Sequence, residues 1–231
     1  MVKLCIKGMI LLACLVVAAI NPRFLNAFFA YRIAFFNVYH LFWLAIVLIL
    51  VKRMTPSLNK DISSGKIFRR HYGAGRERTP AAEKKLASYV GKINRGALRV
   101  AFSWALVIAA TGLLYYFRVF GPLGIFMVVL FFIFMDQFCV TLWCPFEWII
   151  GNKCCSACRI NNWGYLMAFA PLLFIPSFWT LSVAALSVAV VVQWEYQYHA
   201  HPERFFEFYN EKLLCRNCSR RCPKKESRFS H

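Results

Sequence analysis

Trp163–His199, WGYLMAFAPLLFIPSFWTLSVAALSVAVVVQWEYQYH, is the stretch on which the fold turns. It is apolar over most of its length and long enough for two membrane crossings. Cysteine clusters flank it on both sides. Phe138–Arg159, FCVTLWCPFEWIIGNKCCSACR, holds Cys139, Cys144, Cys154, Cys155 and Cys158, and Leu213–Pro223, LLCRNCSRRCP, holds Cys215, Cys218 and Cys222. A chain that crosses twice returns to the face it left. Both clusters are therefore expected on one side of a membrane, close enough to share metal.

Composition supports the membrane. Of 231 residues, 60% are hydrophobic, 17% aromatic and only 16% charged, and mean hydropathy is +0.51. That is more apolar surface than a small soluble core could bury. The net charge of +18 lies between apolar runs, which points to membrane topology rather than to nucleic acid. Apolar runs predict an all-α integral membrane protein with six crossings. They lie near Ile6–Ile20, Tyr31–Val51, Val100–Phe117, Leu123–Trp143, Trp163–Phe178 and Leu181–Tyr198.

The connections alternate in charge. Residues 52–99 carry 6 Lys and 7 Arg against 3 acids, which assigns that loop to the cytoplasmic side. The same rule puts both termini and the Cys144–Asn162 loop inside, in the cytoplasmic membrane of a cell. Trp104, Trp143, Trp148, Trp163 and Trp194 then form an inner interfacial belt, with Trp179 at the outer one. The organisation is two helices in 1–51, a basic loop in 52–99, a hairpin in 100–143, a cysteine loop in 144–162, a second hairpin in 163–199 and a cysteine-rich tail in 200–231. Loop and tail together are expected to form a small cytoplasmic metal-binding cap.

Lys3 and Lys7 before an apolar run resemble a signal peptide, and Leu11-Leu12-Ala13-Cys14 a lipoprotein box. The run before Cys14 is short and another crossing follows at once, so an uncleaved first helix is expected, with Cys5 and Cys14 as small apolar residues. In the basic loop, Arg69–Thr79 combines glycine with charge and reads as the least structured part. Thr79-Pro80 reads as a helix start. The following helix puts Leu86, Tyr89, Val90 and Ile93 on one face, which suits an anionic membrane surface or a solvated connector. Arg69, Arg70, Lys84, Lys85, Arg220 and Arg221 are the basic residues expected to face lipid or a partner.

Cytoplasmic thiols stay reduced, so clustered cysteines there read as metal ligands rather than disulfides. Zinc would use Cys155-x2-Cys158 with Cys215-x2-Cys218 as two knuckles. That leaves Cys139, Cys144, Cys154 and Cys222 unexplained. Cys215-x2-Cys218-x3-Cys222-Pro223 matches the end of a bacterial ferredoxin run, in which thiolates hold four-iron clusters. One or two such clusters would use more of the cysteines than zinc does. Thiol redox chemistry or metal relay is the third reading. Lys153, Arg159, Arg216, Arg220 and Arg221 would offset thiolate charge.

Phe138-Cys139 through Cys144-Pro145-Phe146, with the tail run, resembles membrane-bound ferredoxin-type proteins of respiratory quinol oxidation and metal-centre maturation. The interval here is C-x4-CP, one residue longer than in that family, and the full leading ferredoxin run is absent. The resemblance implies redox-linked thiols at Cys139 and Cys144 and cluster ligands at Cys215, Cys218 and Cys222. The expected function is electron transfer between a cytoplasmic donor and a membrane quinone or partner enzyme. Basic flanks would attract an acidic redox partner. The alternative is a membrane scaffold or assembly factor with a structural zinc clasp.

Asp136 lies at the membrane edge, where acids often mark cavities or proton paths, and Glu147 and Glu195 are expected to line the same pocket. His40 reads as mid-crossing, but His199, its nearest match as a second haem ligand, is about 15 Å away by helical rise, which disfavours haem. No catalytic triad, carboxylate pair or phosphate loop is present, and phenylalanine in the crossings argues against a nucleic-acid surface.

Overall fold

The computed structural model describes residues 2–33, 35–59, 63–75, 79–151, 158–214 and 217. The chain is mostly helical: α1 (Val2–Ile20), α2 (Pro22–Ala30), α3 (Val38–Met54), α4 (Pro80–Tyr116), α5 (Pro122–Thr141), α6 (Pro145–Ile150), α7 (Trp163–Phe169) and α8 (Phe178–Ala200). Four of these, α1, α4, α5 and α8, are long and apolar enough to cross a membrane. Side chains such as Phe102, Leu106, Leu113 and Val192 are exposed on them, an arrangement suited to lipid rather than water.

The other two expected crossings are shorter than their apolar runs. A small hairpin, β1 (Arg32–Ile33) with β2 (Phe36–Asn37), occupies the start of the second run. Asn37 then donates its backbone N–H to His40 Nδ1 at 2.9 Å, so α3 begins at Val38. His40 thus sits in the first turn of α3, its ring 4.5 Å from Trp179, and not at mid-depth. The fifth run is helical only to Phe169 and continues as a 3₁₀ turn, Ala170–Phe174. Pro171 has no N–H for the α-helical ladder. The chain restarts at Ser177, whose Oγ caps α8 by accepting from Thr180 N.

Paired contacts fix helix directions. Trp43 Nε1 donates to Ser182 Oγ at 2.9 Å and Gln193 Nε2 to Met54 O at 2.9 Å. The two tethers are equally spaced along α3 and α8, so those helices run parallel. α4 is antiparallel to α8: Tyr115 stacks on Phe174 at one end, and Tyr198 Oη donates to Asn94 Oδ1 at the other. α5 returns antiparallel to α4, with Trp104 and Phe132 ring centroids 4.6 Å apart. α1 packs on α5 where Gly8 meets the Phe134 ring.

α4 is one continuous helix of 37 residues, about 55 Å long at the usual rise. The expected surface helix and the third crossing are a single element. Its Leu86–Ile93 stripe is covered by protein, not left for lipid. Ile93 is buried, Val90 packs against the same core, and Tyr89 stacks on Phe206 at 4.6 Å. Lys84 and Lys85 are exposed, with Lys85 Nζ 5.9 Å from the centroid of the Phe208 ring.

The described tail residues, 202–214, pack against the basic loop. Gly75 N donates to Tyr209 O at 2.8 Å and Glu211 N to Gly73 O at 3.0 Å. Asn210, fully buried, donates from Nδ2 to Lys66 O and Arg204 O and accepts from Lys212 N. A Cβ at Gly75 would lie 2.9 Å from Phe208 O, so only glycine permits this approach. Of the Arg69–Thr79 stretch read as least structured, residues 69–75 are held in place by the hydrogen bonds of Gly73 and Gly75 to the tail, next to buried Ile67 and Phe68, and 76–78 lie outside the described residues.

Candidate functional site

Sequence breaks at the end of α5 build the site. Pro145 disfavours helical backbone at the residue before it and opens α6, and Cys144 is extended as the α6 N-cap. The chain therefore turns after Thr141, and the Cys139 and Cys144 side chains meet in a hydrogen bond. Gly151, at φ 69°, ends α6 in the left-handed region that glycine favours. Gly96 of α4 is what admits α6: a Cβ there would lie 2.6 Å from Ile150 Cα. Helix α6 thus docks backbone to backbone on α4.

Beside this corner is a cavity of about 190 Å³, lined by Cys139, Cys144, Cys158, Asp136 and Trp104 among apolar residues such as Phe132, Phe146 and Met167. Cys158 is buried with Ile150 and Ile160 in the core at this end. Gly164 of α7 forms part of the wall, and a Cβ on it would fall 2.6 Å from Asp136 Oδ1. The carboxylate therefore occupies the space that any larger residue would need. Trp104 Nε1 is buried and has no hydrogen-bond partner among the described residues. An unsatisfied buried donor of this kind costs roughly 1–3 kcal/mol.

Three of the eight clustered cysteines thus share one cavity, together with Asp136. Among the described residues, no group of three or more His, Cys, Asp and Glu side chains is arranged to hold a metal ion. Cys154, Cys155, Cys215, Cys218 and Cys222 lie outside the described residues, as do Arg220 and Arg221. The two expected acidic companions of Asp136 are elsewhere. Glu147 is half-buried on α6 but does not line the cavity.

Glu195 belongs to a separate clasp. It forms an ion pair with Arg159, and its Oε1 also accepts from Trp163 Nε1 at 2.8 Å. Arg159 Nη1 donates to Asn94 Oδ1 at 2.6 Å, its guanidinium lies over the Tyr198 ring, and its backbone carbonyl accepts from Trp194 Nε1. This clasp joins the residue after Cys158 to α4 and α8. It commits Arg159 to Glu195 rather than to offsetting thiolate charge. Gly96, Gly164 and the clasp were missed in the sequence. Glycine inside a helical pattern was the available signal for the first two.

Gly151 and Phe206 both approach the Tyr89–Lys92 turn of α4. A Cβ on Gly151, which precedes the first cluster's 152–157 segment, would meet Lys92 Cε at 2.6 Å. Phe206, in the tail leading to the second cluster, stacks on Tyr89, one turn away. Comparison with protein-family models, curated proteins and solved structures gives no match.

Proposed function

We propose that the chain is a multi-pass protein of the cytoplasmic membrane whose cysteine end holds an iron–sulfur centre and passes electrons between a cytoplasmic donor and the membrane. One observation carries this reading: Cys139, Cys144 and Cys158 of the first cluster line one cavity. The proposed ligands are drawn from Cys154, Cys155, Cys158, Cys215, Cys218 and Cys222, with Cys144 and Cys139 nearer the bundle. Such a centre supplies one-electron redox chemistry when bound.

Around it the chain's own residues do three things. α6 and the Arg159–Glu195 clasp hold the first cysteine loop against α4. Loop residues 63–75 hold the tail. The apolar cavity beside Cys139 and Cys144 supports a quinone-type acceptor from the bilayer over a partner enzyme, because its wall is almost wholly apolar. The basic loop and tail share this end of the bundle, which supports a cytoplasmic cysteine end under the positive-inside rule. Six traverses, counting α3 and the α7 segment, keep both termini there.

Redox titration followed by electron paramagnetic resonance tests the function. A reducible cluster signal is expected in the wild type and is lost in Cys218→Ser. A redox-silent metal in a protein that purifies with a fixed partner would favour the second reading, a scaffold or assembly factor with a zinc clasp. That reading draws on the hydrogen bonds that already tie 202–214 to 63–75. For orientation, a membrane-impermeant thiol reagent should reach a cysteine introduced at Gly121 only from outside and one at Ser230 only from inside. The reverse pattern contradicts the topology.

A further inference from the structure

Three arginines converge on a second cavity that neither cysteine cluster explains. It measures about 510 Å³ and is lined by Ser57 after α3, by Arg69 and Arg70 of the basic loop, and by Gln197, His201 and Arg204 at the end of α8. Among the described residues, no carboxylate lines it. Arg204 is only 7% exposed, and among the described residues its guanidinium makes one hydrogen bond, from Nη1 to the neutral Gln197 Oε1 at 2.9 Å. The side chains of Arg69 and Arg70 make no hydrogen bond or ion pair among the described residues.

Buried cations need a compensating charge. Glu203 adjoins Arg204 and contacts His201 Nδ1 at 3.4 Å. The C-terminal ends of α3 and α8 each contribute roughly half a negative charge. Arg69 and Arg70 add two further guanidinium groups at the cavity wall, both exposed. Burial pulls the Arg204 pKa below its ordinary value; Glu203 opposes that effect and Arg69 adds to it. The guanidinium stays charged regardless.

We propose that this cavity binds a phosphate group, with Arg69, Arg70 and Arg204 as its ligands. Guanidinium forks match phosphate oxygens in geometry as well as charge. The cavity opens where α3 and α8 end, the depth at which headgroups meet a spanning bundle. An anionic phospholipid is therefore one source of the group, and a soluble phosphate ester is the other. The site does not depend on the metal reading.

Binding of short-chain phosphatidylglycerol, glycerol phosphate and inorganic phosphate to the full chain in phosphatidylcholine nanodiscs tests it. Phosphatidylglycerol is expected to bind one per chain and to weaken at least about tenfold in R69Q/R70Q, the loss of one charge-assisted hydrogen bond. Both of those side chains are exposed, so the variant's unfolding temperature should be unchanged; R204Q should weaken binding as well. K84Q/K85Q, which removes equal charge outside the cavity, should leave binding within about twofold. Arginine-dependent binding of glycerol phosphate or inorganic phosphate without the lipid assigns the site to a soluble phosphate. The proposal fails if no probe binds, or if K84Q/K85Q weakens binding as much as R69Q/R70Q.

Discussion

Glu195→Gln is expected to destabilise the protein by about 3 kcal/mol, the lower end of the cost of breaking a buried ion pair from one side. Side-chain exposure is 11% for Arg159 and 20% for Glu195, so solvent screens the pair only partly. The glutamine can still accept from Trp163 Nε1, but it leaves the Arg159 guanidinium without its counter-charge. Asn94 and the Tyr198 ring cannot replace it. Arg159→Lys should recover little, because an ammonium cannot reproduce the fork that spans Glu195 and Asn94. Removing both partners should cost less than the sum of the single losses. Chemical unfolding of the four proteins in detergent measures each value. Additive losses would show that the clasp is not a coupled unit.

A second large effect is expected at Gly96. Any Cβ there meets Ile150 Cα at 2.6 Å and Ile149 O at 3.1 Å, and neither is the movable end of a side chain. Gly96→Val must therefore push α6 off α4, at a cost of roughly 1–3 kcal/mol or more. Because Cys144 is the N-cap of α6, the Cys139–Cys144 contact should open, and the two thiols should react faster with a lipid-permeant maleimide. Gly91 lies on the same helix with nothing within 4 Å of a Cβ. Gly91→Ala should stabilise by about 0.5–1 kcal/mol. Equal behaviour of the two variants would contradict the docking.

The contrast between these glycines shows what was legible. α1, the apolar half of α4, α5 and α8 follow from long apolar runs whose ends carry Pro122, Ser177 or a basic segment. The start of α3 was hidden because Ile33–Phe36 is apolar like the helix it precedes, and the Asn37–His40 contact marks the boundary. The fifth run fails as a long helix at Pro171, a breaker visible in the sequence whose effect depends on packing. The amphipathic stripe of α4 was correctly placed on one face, but periodicity does not say whether lipid or protein covers it. Phe205, Phe206 and Ile150 cover it, from segments far away in sequence.

At the site, Cys139, Cys144, Cys158 and Asp136 line one cavity. Glu195 could not be separated from them, because its partner Arg159 lies 36 residues away and pairing at that range has no local signature. In the tail segment RFFEFYNE, Asn210 is the most deeply buried polar residue, since its side chain satisfies three backbone groups at once. Arg204 was overlooked for a related reason. Only the folded loop brings Arg69 and Arg70 beside it.

Iron and acid-labile sulfide analysis of the anaerobically purified chain, alongside Cys155→Ser and Cys218→Ser, tests most directly whether the two cysteine clusters share a centre. The account predicts stoichiometric iron and sulfide in the wild type and loss of both from either variant. Zinc alone, or no bound metal, or iron and sulfide undiminished in either variant, would contradict it.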